Sequence, residues 1–431
     1  MLIMRKGLLI LFVFIFAGVH SQPGLTEKEK ALIDEVDAQM ASTLDVLKRS
    51  VNINSGTFNR EGVRQVGEIY RKELEAMGFR TEWIALPESM KRAGHLVAYR
   101  KGKRGKRLFL IGHLDTVFEP DMPSNPYTIL NDTTATGQGV NDMKGGNAMM
   151  IAALKALHSK GLLEESSITV YFTGDEENAG DPVEISRGDF IERAKQHEVA
   201  LAFETAQSFK TVTTARRGAS SWKLEVEGIQ AHSSGIFGKN GYGAIYEAAR
   251  ILNAFRESLS LQAYLTFNPG LIAGGSELAY NDESQSAAVS GKTNIISPKT
   301  VVIGDLRFLT EEQKSAARDS MRAIVKNSLP GTRAEIYFSD GIPSMPPSTG
   351  NAVLAQMVSS ISESMGLGPV EQGDPGSRGA GDISYVAKYL DCIDGLGASG
   401  KGAHAPGETI HLGEYPLLIK RTALLLSRLI Q

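Results

Sequence analysis

The chain has 431 residues, 42% apolar and 22% charged, with a net charge of −3. That is enough chain for two domains and a large core, and the charge balance gives no reason to expect a nucleic-acid partner. A single cysteine, Cys392, excludes an intrachain disulfide and, set in the apolar run "YLDCIDGLG", reads as a small buried hydrophobe.

The opening segment "MLIMRKGLLILFVFIFAGVHSQ" carries Arg5 and Lys6 and then an apolar stretch from Gly7 to Val19. The stretch is short for a bilayer span and ends in small residues suited to cleavage. Residues 1–21 therefore read as a signal peptide, with periplasm or secretion as the destination. No cysteine follows to carry a lipid, so no stable membrane anchor is expected after cleavage.

Residues 25–50 predict a helix capped by Thr26 with Glu29 in the capping-box position. A second helix runs from about Glu61 to Met77 and stops at Gly78. The run "YRKGKRGKR" (99–107) holds six basic residues in eight positions. Apolar runs flank it, so it reads as a solvated hairpin tip rather than a polyanion-binding patch. Short apolar runs ("RLFLIG", "SITVYFTG", "VALAFE") then alternate with helical segments, which means a largely parallel sheet covered on both faces. Near residue 213 the texture changes. "SSWKLEVEGI", "LTFNPGLIAGG", "KTNIIS", "TVVIGDLRFL" and "RAEIYFS" read as strands accompanied by two helices, a small α+β domain inserted into the first. The pattern divides the chain into a catalytic domain over 22–213 and 342–431 and an insert over 214–341.

In open α/β sheets, function collects at the carboxyl ends of the strands. "RLFLIG" ends in His113 and Asp115, "SITVYFTG" in Asp175, Glu176 and Glu177, "VALAFE" in Glu204, and "DCIDGLGASGKGAH" in His404. The glycine-rich "GQGVNDMKGG" adds Asp142 just before a helix. Carboxylates gathered in one cleft repel each other, and a pair of divalent cations would resolve the repulsion. Mixed imidazole and carboxylate donors without thiolates suit zinc better than calcium or magnesium.

"GHLDTV", "GVNDMKGG", "TGDEEN", "AFET" and "GAHAPGE", in that order and spacing, resemble the M20 metallopeptidases, the zinc carboxypeptidases and aminoacylases of the glutamate carboxypeptidase type. The resemblance covers essentially the whole mature chain, including "IQAHSSG", "TNIIS" and "DLRFL" of the insert. It implies a mainly parallel α/β catalytic domain with an inserted α+β lid, through which the chain would form a homodimer. It implies two zinc ions per subunit, bridged by Asp142, with His113 and Glu204 completing one site and Glu177 and His404 the other. Asp115 would hold the second nitrogen of His113, and Glu176 would be the general base. His232, in "QAHSSG", would stabilise the oxyanion from the partner subunit. Arg307 and Asn294 would meet the substrate's carboxylate or reacting carbonyl, and Gly379, in "SRGAGDIS", would line the carboxylate pocket.

The implied activity is hydrolysis of the amide bond to a C-terminal residue with a free carboxylate, in a peptide or an N-acyl amino acid. Glutamate is the terminal residue suggested by resemblance. Glu204 favours this reading, since relatives acting as aminopeptidases or dipeptidases tend to have aspartate there. The alternatives are a dipeptidase needing a free amino terminus and a non-catalytic peptide-binding relative. A nucleotide-binding role for "GVNDMKGG" is rejected, because an aspartate stands where phosphate would sit. Three departures stand out: Asn141 where an acid is common, Thr205 where proline is frequent, and a long segment over 268–292.

Overall fold

The computed structural model describes residues 24–431, so the signal-peptide reading lies outside the described residues. No described helix is long and apolar enough to cross a membrane. Thr26 and Glu29 form the expected capping box on α1 (Glu27–Ala38). The helix anticipated over 25–50 is interrupted at Gln39, and α2 (Met40–Val51) resumes it. Each half buries its own stripe, Leu32 and Val36 in α1, Val46 and Leu47 in α2. Gln39 fills the break by donating to Glu35 and Ser159. α3 (Arg60–Ala76), capped by Asn59, follows.

The central sheet is built from β1 (Arg80–Ile84), β2 (His95–Arg100), β3 (Arg104–His113), β4 (Ser166–Thr173), β5 (Val199–Ala202) and a late strand, Asp391–Ile393. Its order is β1, β2, β4, β3, β5, then the late strand. From β4 onward every pairing is parallel. The hairpin expected around 99–107 does not form. β4 lies between β2 and β3, antiparallel to the first and parallel to the second. The basic run is instead a crossing whose side chains are tied down. Arg104 donates to the carbonyls of Ile430 and Leu162, and Lys106 and Arg107 pair with Glu198. A strand as apolar as β4 needs cover on both edges and both faces, and a local hairpin would have left one edge bare.

Alternation along the strands divides the core. Leu108 and Leu110 face one layer with Met149, Leu154 and Leu425, while Phe109, Tyr171 and Phe190 pack on the other side. In the first layer α4 (Lys144–Ser159) is buried along nearly its whole length.

A second sheet of four strands comprises β6 (Gly218–Gly228), β7 (Thr266–Gly275), Lys299–Phe308 and Thr332–Asp340. Helices Gly243–Leu259 and Glu311–Lys326 cover one face of it, burying Trp222, Leu224, Phe255 and Met321 in a separate core. "KTNIIS" forms no strand. Only Ile295 makes an isolated bridge, to His232. Pro298, with no N–H to donate, closes the segment before it can extend a ladder. The long segment 268–292 becomes most of β7 and a hairpin, Glu277–Asn281 with Ser286–Ser290. Both crossings to this sheet run side by side: Arg216 and Met345 exchange backbone bonds of 2.8 and 3.0 Å.

Candidate metal centre

Five chain segments converge at the carboxyl edge of the central sheet, those of His113, Asp142, Glu176 with Glu177, Glu204 and His404. His113 is the last residue of β3, completely buried, with its carbonyl held by Asn147 of α4 at 2.6 Å. Asp142 sits in the turn before α4, joined to Met143 by a cis peptide. α4 can approach this edge because Gly146 lies against the carbonyl of Phe203, where an added Cβ would stand 1.9 Å away. That contact fixes the helix start beside Glu204.

His404 comes from far along the chain, and strand pairing delivers it. It lies at the tip of a hairpin whose strands are 400–401 and 409–411. The second strand pairs with 134–136, just ahead of the Asp142 turn. Between them Glu408 accepts the backbone N–H groups of Gly139, Asn141 and Asp142 at 3.1, 2.7 and 2.7 Å. One buried carboxylate thus staples the two loops together. Burial pushes its pKa up to about 7, against the pull of those amides.

The two oxygens of Asp142 face different histidines: Oδ1 is 3.3 Å from His113 Nε2, and Oδ2 is 3.1 Å from His404 Nε2. His113 Nε2 is also 3.6 Å from Glu204 Oε1, and His404 Nε2 is 3.2 Å from Glu177 Oε2. Glu176 joins His113 and Glu204 in a second group, all of whose ligand atoms lie within 4.8 Å of one another. Donors sharing one tetrahedral cation at about 2.0–2.1 Å lie about 3.4 Å apart, which is the spacing seen here. The carboxylate Oε1 of Glu177 is buried with no hydrogen-bond partner among the described residues. A buried, unsatisfied carboxylate oxygen is costly unless a cation meets it. The donor set therefore fits two divalent cations with Asp142 between them.

Electrostatics agree. Burial, reinforced by Glu204, raises Glu176 well above the usual carboxylate range, and burial with Asp142 nearby pushes Glu204 up to about 8. Burial opposes charge on Asp142 too, but its bonds to His113 and His404 prevail and hold it low. Hydrogen bonds donated to the Asp142 and Glu177 carboxylates push His404 up to about 11. Cations at this centre would compete with protons for the same donors.

Asp115 does more than the sequence implied. His113 Nδ1 is 3.0 Å from the Asp115 carbonyl and 3.5 Å from its carboxylate. That carboxylate accepts the backbone N–H of Glu176 at 3.0 Å, that of Glu177 at 3.1 Å, and the Thr57 hydroxyl at 2.6 Å. It fixes a histidine and both glutamates at once. Asp175, grouped by sequence with its neighbours, turns away to Arg187 (2.6 Å), which also meets Asp382 at 2.7 Å. The sequence does not single out Thr57, Glu408, Arg187 or Arg216, the last of which is buried and paired with Asp394. Glu408 closes "GAHAPGE" and so stood in view; the others carry no local signal.

The other sequence candidates take their hydrogen bonds from residues outside the donor set. His232 is exposed, its Nδ1 2.9 Å from the Ser234 hydroxyl and accepting the Ser234 N–H. Asn294 is exposed beside it and receives the Ser233 N–H. Arg307 pairs with Asp305 on its own strand at 3.0 Å. Gly379 is exposed, with open space where a Cβ would stand, and its carbonyl accepts from Arg216 at 2.7 Å. His95, a residue with no expected role, is buried between the Ser186 carbonyl and the Gly174 N–H.

Comparison with known proteins agrees with this geometry. The chain is 25% identical to carboxypeptidase G2 of Pseudomonas sp. (strain RS-16) over 383 residues, 88% of this chain and 87% of that protein. Among solved structures it resembles aminopeptidase PepT from Bacillus cereus, with a TM-score of 0.69, 16% identity and coverage of 94% of this chain and 99% of that one. It also resembles the Bacillus subtilis YXEP protein, described as a dinuclear metal-binding peptidase, with a TM-score of 0.63, 14% identity and coverage of 91% and 99%. Residues 109–428 match the family model "Peptidase family M20/M25/M40", and the chain belongs to that family of metallopeptidases and amidohydrolases.

Proposed function

We propose that this enzyme is an exported two-zinc hydrolase that cuts the amide bond to a terminal residue bearing a free carboxylate. The observation that carries the reading is the split of Asp142, one oxygen toward His113 and the other toward His404. In this reading His113 and Glu204 hold one cation, Glu177 and His404 the other, and Asp142 both. Bound zinc supplies Lewis-acid chemistry, acidifying water and polarising a carbonyl.

The chain's own residues do the remainder. Glu176, kept protonatable by burial, takes a proton from the attacking water and returns it to the departing amine. Asp115 orients His113 and the backbone of both glutamates. His232, exposed in the insert just after β6, is the oxyanion donor in this reading, supplied to the cluster by a second copy of the chain. Exposed Phe237, Tyr246 and Ile272 on the same insert support association there.

The test is a substrate panel on chelator-stripped and metal-restored mature protein, with metal content measured by mass spectrometry. The expected result is about two zinc equivalents and turnover of N-acyl amino acids that needs both. Turnover confined to free dipeptides would select the dipeptidase reading. Turnover unaffected by metal removal would overturn the assignment.

A further inference from the structure

Behind the turn that carries Glu176 and Glu177 lies a cluster that takes no part in the proposed chemistry. Arg187, Asp175, Asp382, His95 and Thr173 are all buried. One guanidinium spans two carboxylates: Arg187 Nη1 donates to Asp175 Oδ1 at 2.6 Å, and its Nε to Asp382 Oδ1 at 2.7 Å. Its Nη2 reaches the Asp175 carbonyl at 3.2 Å. The other oxygen of Asp382 accepts the Thr173 hydroxyl, at the end of β4, at 2.6 Å. The other oxygen of Asp175 accepts the Gly180 N–H and the Ser186 hydroxyl at 2.8 and 2.7 Å. His95 Nδ1 accepts the Gly174 N–H at 3.2 Å, and a Cβ added to Gly174 would stand 2.2 Å from the Gly94 carbonyl. Asp115 grips the same turn from the metal side, through the N–H groups of Glu176 and Glu177. The turn is clamped from two sides.

Stability does not account for such a cluster, since apolar side chains of similar volume often fill a core as well or better. What the planar guanidinium fork adds is direction: its donors point along fixed lines and hold whatever they meet. Glu176 and Glu177 are neighbours aimed at different partners, Glu176 at His113 and Glu204, Glu177 at His404. A small rotation of the turn would misplace both. We propose that Arg187 is a positioning residue for Glu176, holding the turn of the base by anchoring Asp175 to Asp382, which lies 195 residues beyond Arg187 in the chain. The inference rests on the hydrolase reading for its base. Arg187 acts through Asp175, not on substrate or metal.

The test uses the metal-loaded protein and its Arg187→Lys and Asp382→Asn variants. An ammonium is a point charge that cannot span both carboxylates, and asparagine keeps the shape but drops the charge. Hydrogen exchange over residues 173–180 should quicken at least about tenfold in both, with the segments around His113, Asp142 and His404 at parent rates. On N-acyl amino acids kcat should fall by about 10–100-fold, while KM moves less than about threefold and metal content holds. Exchange quickened evenly through all four segments, or a rate lost in step with metal, would make the role structural and overturn the proposal. So would a parent kcat in both variants. Where the charge variants fail to fold, Thr173→Val, which removes one bond and no charge, must show the same pattern at smaller size.

The exchange measurement needs no turnover, and so separates this proposal from the hydrolase reading. Loosening confined to 173–180, in a protein that cuts no amide, would sink that reading and leave the hold of Arg187 on this turn standing. Parent exchange over 173–180 in both variants would overturn the positioning role whatever the enzyme cuts.

Discussion

The two sheets distribute polar side chains in opposite ways. In β3 the residues from Leu108 to Gly112 are buried without a break, and the first polar group in that run's path is His113 at its end. In β6 burial alternates along the strand, Trp222, Leu224 and Val226 inward, Ser221, Glu225 and Glu227 outward. A sheet covered on both faces can place polar chemistry only at its strand ends. A sheet covered on one face carries polar residues at every second position, most of them simply solvated. Function is therefore concentrated at an edge in one sheet and hidden among ordinary surface in the other.

The sharpest way to break this contrast is at the edge itself. Glu176→Gln should keep its metal and lose turnover by about 10²–10⁴-fold, the range for a general acid–base group. Mass spectrometry would establish the metal content and steady-state assays the rate. Near-normal turnover would remove Glu176 as the base. Next in size is the ion cluster behind that edge. Arg187 is buried between Asp175 and Asp382, so Arg187→Leu strands two buried carboxylates. Removing one partner of such a buried pair costs about 3–5 kcal/mol, to be read from denaturant unfolding. A loss below about 1 kcal/mol would mean water reaches the cluster.

The same contrast explains what was legible in the sequence. His113, Asp142, Glu176, Glu177, Glu204 and His404 each follow an apolar run or a glycine turn, and the fold gathers them. Thr57, Arg187 and Arg216 reach their partners across tens to hundreds of residues, and nothing in their own neighbourhoods marks them. The basic run at 99–107 misled for a related reason. A hairpin is the local solution for two adjacent strands, and the interposition of β4 is decided by burial, not by the turn. Gln39 and "KTNIIS" are finer failures, where tertiary packing overrode a local pattern.

Glu408 tests whether residues behind the edge matter through it. Glu408→Gln keeps an acceptor for the three amides but loses a charge, and Glu408→Ala loses both. The Ala variant should weaken cation affinity by about 10–100-fold, the usual loss when support behind a ligand is removed, with the Gln variant between it and the parent. Cation binding also carries a sign in pH. His404, raised to about 11, and Glu204, raised to about 8, hold protons near neutral pH until a cation displaces them. Binding should therefore release protons, and apparent affinity should climb as pH rises toward 8. Calorimetry in buffers of different ionisation enthalpy would show the release, and its absence would mean the donors are already deprotonated.

The smallest effect belongs on the solvated face of the inserted sheet. There the hairpin tip residue Asp282 pairs with Lys223 at 3.1 Å, and the Asp282 side chain is 72% exposed. Water and salt screen such a pair, and holding two mobile side chains together offsets most of what remains. Asp282→Ala should move the melting temperature by no more than about 2 °C and leave metal content unchanged. A larger shift would show that the hairpin is held down on its sheet as firmly as a buried element. The polar surface of the insert would then be structural rather than merely wet, and the contrast between the two sheets would narrow.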